Sequence, residues 1–183
     1  MQRIAKLDNN NASEETVALL DAVKKQLGLV PALVQTMAQS PATLKTYLAM
    51  MDTLSKGVLT SKLGEQISIA VGGANGCNYC ASAHTAIARK LGLSNEELEQ
   101  NLLGKSSDPK TNAALHFVRK IVATRAKLTN QDLSDIRAAG FSEEEIIELL
   151  AHTVLNIFTN YFNHIADTEV DFPLVETAHA ETV

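Results

Sequence analysis

The chain has 183 residues, 45% of them hydrophobic, which is enough for one domain with a sizeable core. Its formal net charge is −5, it carries no run of Lys and Arg, and aromatics make up 4% with no Trp. Neither a basic footprint nor a base-stacking platform is present, so nucleic acid and anionic membrane are not expected as partners.

Taken in chain order, Met1 to Asn10 has no apolar signal-like region, and the expected compartment is the cytoplasm. Ser13 caps a first helix from about Glu14 to Leu27, closed by Gly28. Pro31 opens a short second segment to about Gln39. Ser40-Pro41 starts a third helix, with Leu44, Tyr47, Leu48 and Met51 at helical spacing and a stop at Gly57. A fourth runs from about Thr60 to Val71 with Leu63, Ile67 and Ala70 on one face, and the glycine-rich run Gly72 to Gly76 is expected to break it. A fifth starts near Cys77 and ends at Leu91. Ser94 with Glu97 reads as a capping box for a short sixth. Asp108-Pro109 opens a seventh, whose apolar repeat reaches Ala126. Thr129 with Asp132 caps an eighth that Gly140 ends, and Ser142 with Glu145 caps a long ninth to about Asp167. Its most apolar part, Ile146 to Phe158, is interrupted by Glu148, His152 and Asn156, so no span of a bilayer is expected. Residues 173–183 lack periodicity and read as a loose tail. No alternating strand pattern is found. One all-α domain over 1–183, with a core of about 14–167, is the simplest account.

Both cysteines lie on the fifth helix, with Cys77, Cys80 and His84 at i, i+3 and i+7 on one face. Glu65 precedes Cys77 on the fourth helix, close enough in sequence for the two helices to pack side by side. In a reducing compartment a close cysteine pair points to catalysis or metal binding rather than to a structural staple. The reactive species is the thiolate, so such a site must lower a thiol pKa or supply a base. Cys77 stands where the helix begins, near unpaired N–H groups and the positive dipole end. His84 is one turn after Cys80, and Glu65 can orient His84 or accept its proton. A thiolate oxidised to sulfenic acid condenses with a second thiol within reach.

Glu65, eleven residues, then Cys77-x-x-Cys80-x-x-x-His84, within Asn75-Gly76-Cys77-Asn78-Tyr79-Cys80 and before Ala83-His84-Thr85, resembles the alkylhydroperoxidase D-like branch of the carboxymuconolactone decarboxylase family. The resemblance is densest over about Leu59 to Gly92. It implies a single-domain helical bundle that associates into homo-oligomers and reduces hydroperoxides through a thiol cycle. It implies Cys80 as the peroxide-attacking thiol, Cys77 as the resolving one, and His84 with Glu65 as the proton relay. It implies a dithiol reductant, either a protein-bound dihydrolipoyl group or a thioredoxin-like protein, and no cofactor. The best-studied branch has a histidine between the cysteines where this chain has Tyr79, so the relay here is expected to be shorter.

Three rival readings stand beside this one. A lactone decarboxylase of the same superfamily should not need either cysteine. A redox sensor would form a reversible disulfide without turnover. A metal site could use Cys77, Cys80 and His84, although a closed structural zinc site needs four ligands and the chain has two cysteines. His116 is expected at the surface or an interface and His179 in the tail, while Tyr79 and Tyr161 are read as packing residues. On the ninth helix His152, Asn156, Thr159, Asn160, Asn163 and Asp167 form a polar stripe, read first as a solvated face. The sharper alternative puts part of that stripe, with His164, against the thiols or an oligomer contact. Leu, Ile and Val on several faces of the last two helices also point to a homo-oligomer.

Overall fold

Small polar side chains start most of the helices. Ser13, Ser40, Thr60, Ser94, Asp108, Thr129 and Ser142 each accept the backbone N–H three residues on, which satisfies donors that a helix leaves unpaired. The computed structural model describes residues 2–8 and 12–177. Among them are α1 (Glu14–Leu27), α2 (Ala32–Met37), α3 (Pro41–Leu54), α4 (Ser61–Asn75), α5 (Asn78–Lys90), α6 (Asn95–Leu102), α7 (Pro109–Thr124), α8 (Asn130–Ala138) and α9 (Glu143–Ala166). No strand occurs among the described residues, and the fold is the all-α bundle expected. No helix among them is long and apolar enough to cross a membrane.

The centre of the bundle is α4, packed against α5, α6, α7 and α9. Gln66 to Gly72 are all buried, so this helix is enclosed all round and not only along the face of Leu63, Ile67 and Ala70. One core cluster joins α4 to α7, α8 and α9 through Ile67, Val71, Leu115, Val118, Ile136 and Leu149. A second gathers Leu20, Leu33, Met37 and Leu44 from α1, α2 and α3, and takes in Cys77, Tyr79 and Cys80. The thiols therefore sit in an apolar core.

The glycine run does not break α4, which continues to Asn75. A Cβ on Gly73 would run into the carbonyl oxygen of Leu102, and one on Gly72 would stand 3.4 Å from the Ala81 nitrogen. These glycines are contact points for α5 and α6. The reversal falls on Gly76 alone, in the left-handed region at φ 68°.

Three further differences have local causes. The Glu97 carboxylate does not return to Ser94. It accepts from Gln66, Asn101, Ser106 and Ser107 instead, so α6 has a cap but no capping box. The repeat that reaches Ala126 ends as helix at Thr124, because Arg125 and Ala126 are both left-handed, at φ 55° and 60°. The expected loose tail is docked as far as Thr177. Val175 N–H donates to Ser82 Oγ at 2.8 Å, and Thr177 N–H donates to Asn78 Oδ1 at 2.9 Å. Residues 178–183, including His179, lie outside the described residues.

Candidate active site

Backbone geometry puts both sulfurs at one helix end. Cys77 is the N-cap of α5, and its Sγ accepts the Cys80 N–H at 3.3 Å. Cys80 lies on the first turn. Both are free thiols and almost fully buried, at 1% and 2% exposure. Glu65, on α4, and His84, one turn after Cys80 on α5, are half-buried, and His84 Nδ1 is 2.8 Å from Glu65 Oε2. The four residues expected at the site thus occupy the facing parts of α4 and α5.

Asn163 of α9 reaches the same two sulfurs. Its Nδ2 donates towards Cys80 Sγ at 3.2 Å and Cys77 Sγ at 3.9 Å. Asn160, one turn earlier, accepts from Asn75 Nδ2 at 2.8 Å. Asn156, Thr159, Asn160 and Asn163 are all buried, so the reading of this stripe as a solvated face is wrong. The helical period was correct, but these polar groups are held by α4, α5 and their own helix rather than by water. The stripe is not uniform, however. His164 and Asp167 are exposed, and His164 does not line the thiol pocket. His152 packs its ring near Gly64, and burial lowers its pKa.

The Tyr79 hydroxyl is engaged by the backbone of α2. It accepts the Leu33 N–H at 3.1 Å, and the Tyr79 ring meets Phe172 edge to face, with centroids 5.8 Å apart. Tyr47 on α3, read in the sequence only as part of that helix's apolar spacing, packs against the thiol cluster, and burial together with the charges of Cys80 and Glu65 raises its phenol. Tyr161, expected to pack, is 54% exposed. His116 is exposed.

Charge is unevenly shared between the sulfurs. A hydrogen bond from the Cys80 thiol does most to lower Cys77, and the Cys80 N–H, Asn163 and the His84 charge add to it against burial. Cys80 is raised by burial and by its place beside Cys77, while Asn163 and Asn160 pull it down. Burial opposes a charged His84, but the Glu65 charge and hydrogen bond outweigh it and raise the imidazole. These shifts make Cys77 the more acidic of the two thiols and strengthen the hold of His84 on its proton beside Glu65. The N-terminal dipole argument leads to the same ranking.

Solved structures share this fold. An alkylhydroperoxidase AhpD core, an uncharacterized peroxidase-related protein from Ralstonia eutropha JMP134, superposes with a TM-score of 0.85 at 24% identity over 93% of this chain and 92% of that one. An uncharacterized peroxidase-related protein from Silicibacter sp. TM1040 gives 0.81 at 23%, over 91% and 88%. The debrominase Bmp8, solved with 2,3,4-tribromopyrrole, gives 0.77 at 20%, over 92% and 91%. At these identities the likeness concerns the fold. Comparison with curated proteins gives no match. The profile of the carboxymuconolactone decarboxylase family matches residues 41–123. The matched stretch is 83 of the chain's 183 residues, so the likeness to that family covers less than half of the chain. The matched region runs from α3 to α7 and includes Glu65, Cys77, Cys80 and His84. The Asn160 and Asn163 amides come from α9, beyond that region.

Proposed function

We propose that this protein is a thiol-dependent peroxidase that reduces hydroperoxides through Cys77 and Cys80. The observation that carries the reading is the pair itself, two unbonded sulfurs on one turn of α5 sharing the Asn163 amide. The His84–Glu65 pair supplies a proton store beside them.

The cycle balances with these groups. The Cys80 S–H passes its proton to the Cys77 thiolate along their hydrogen bond. The Cys80 thiolate attacks the outer oxygen of the hydroperoxide, the O–O bond breaks, and the alkoxide takes the His84 proton to leave as an alcohol. Cys80 is then a sulfenic acid. Neutral His84 removes the Cys77 proton, Cys77 attacks Cys80 sulfur, and the departing hydroxide leaves as water with that proton. An external dithiol reduces the disulfide, returning one proton to Cys80 and one to His84. A dihydrolipoyl group or a thioredoxin-like protein suits this last step, and no cofactor or metal is required. Cytoplasmic placement fits a cycle that depends on reduced thiols.

A homo-oligomer is part of the proposal. On α9, Ile147, Leu150, Val154, Phe158, Tyr161 and Ile165 are 67%, 41%, 48%, 40%, 54% and 66% exposed. Their spacing of three or four residues makes one continuous apolar stripe, and α3 forms a groove of about 470 Å³ beside it.

The test is hydroperoxide consumption with a dithiol reductant, wild type beside Cys80→Ser. Multiple turnover that vanishes in the variant supports the reading, and full turnover in the variant overturns it. A second reading is reductive debromination, favoured by the likeness to a debrominase over 92% of the chain. Release of bromide from a bromopyrrole, without peroxide turnover, would select it. Lactone decarboxylation that survives loss of both cysteines would select the remaining rival.

A further inference from the structure

Burying an amide is costly unless its donors and acceptor find partners. Asn160 and Asn163 are 0% and 4% exposed, one turn apart on α9. Asn160 Oδ1 is bonded to Asn75. Among the described residues Asn160 Nδ2 and Asn163 Oδ1 are both without a hydrogen-bond partner, but Asn163 alone directs its Nδ2 at both sulfurs. An asparagine that leaves its own oxygen unpaired and turns its donors to two thiols is poorly explained by packing. A neutral thiol is a weak acceptor, and a thiolate is a strong one.

We infer that Asn163 is a catalytic residue of the thiol pair, whose amide N–H groups hold the negative charge on whichever sulfur carries it. The one amide nitrogen, which carries two N–H groups, lies 3.9 Å from Cys77 Sγ and 3.2 Å from Cys80 Sγ. When the Cys80 proton moves to Cys77, the charge therefore arrives at a sulfur that already faces a donor. The pocket does not have to reorganise, which is the advantage of fixed dipoles in a water-poor site. Asn160 acts in the same direction on Cys80. The other titratable groups around the pair are His84 on α5, Glu65 on α4, Tyr47 on α3 and Tyr79 on α5. The use of this charge in a peroxidase cycle rests on the function proposed above, but its presence does not.

The test is the pH dependence of thiolate ultraviolet absorbance and of iodoacetamide alkylation in the reduced protein. Asn163→Leu removes the donors at similar volume. Loss of a charge-assisted hydrogen bond should raise the first titration midpoint by about one unit, with alkylation at neutral pH about tenfold slower. Asn163→Asp keeps the shape, places a carboxylate at the sulfurs, and should raise the midpoint further. It serves as the measurement if the Leu variant does not fold. An unchanged midpoint in either folded variant overturns the inference. If the midpoint moves while wild type consumes no peroxide, the role of Asn163 stands and the peroxidase reading fails. If wild type turns over and the midpoint stays, the reverse holds.

Discussion

His84 Nδ1 and Glu65 Oε2 meet at 2.8 Å across α4 and α5, nineteen positions apart in the chain. The contact needs the two helices to pack closely, and Gly72 near the end of α4, against Ala81 of α5, permits that approach. Against the opposing effect of burial, the contact raises the imidazole, so the ring holds its proton more tightly than a free histidine does.

Glu65→Gln should therefore act on both stability and activity. The folded protein holds the His84 proton more tightly than the unfolded chain. The pair thus contributes fully below about pH 6.5, the ordinary imidazole value, and the contribution is lost as pH rises through the raised folded value. Denaturant midpoints should show the variant less stable by on the order of 1 kcal/mol at about pH 6, with the gap closing at higher pH. The alkaline limb of peroxide turnover should move to lower pH. An identical pH dependence in both proteins would contradict the role given to the pair.

Cys80→Ala removes the hydrogen bond that does most to lower Cys77. Because Cys77 is a lowered acid, its thiolate persists in wild type as pH falls, until the lowered value is passed. In the variant, alkylation of Cys77 should fall away at a higher pH. Rate constants for alkylation across a pH series will read the shift, and a fall at the same pH would count against the shared proton.

Gly73→Ala places a methyl group against the Leu102 carbonyl. Backbone cannot yield as a flexible side chain can, so a loss of about 1–3 kcal/mol is expected from overpacking. Thermal melting will measure it. An unchanged melting temperature would mean that α4 and α6 have more room than the structure gives them.

Phe158→Glu charges the middle of the exposed apolar stripe on α9. If that stripe is covered by another copy, light scattering at micromolar concentration should give a lower mass than wild type with helical circular dichroism retained. A wild-type monomer would contradict the oligomer outright.

The helices were legible in the sequence wherever a side chain closes a local hydrogen bond, as Ser13, Ser40, Asp108 and Thr129 do, because a cap depends on its own turn and little else. The thiol motif was legible for a similar reason, since Cys77, Cys80 and His84 share one helix and helical spacing alone aligns them. The glycine run misled because intrinsic propensity disfavours helix there, whereas packing on Ala81 and Leu102 decides it. The amides of α9 misled for a different reason. Period 3.6 identifies a polar face without saying what it faces, and Asn163 faces sulfur from a helix 83 residues away from Cys80. Glu97 was misassigned because its partners at Ser106 and Ser107 lie in the loop after α6.

The most direct measurement of the central claim is peptide mass spectrometry after one equivalent of an organic hydroperoxide is added to the reduced protein without reductant. The account predicts a Cys77–Cys80 disulfide in wild type, and a sulfenic acid on Cys80 in Cys77→Ser. Two untouched thiols, or oxidation of Cys77 alone in single-cysteine variants, would contradict it.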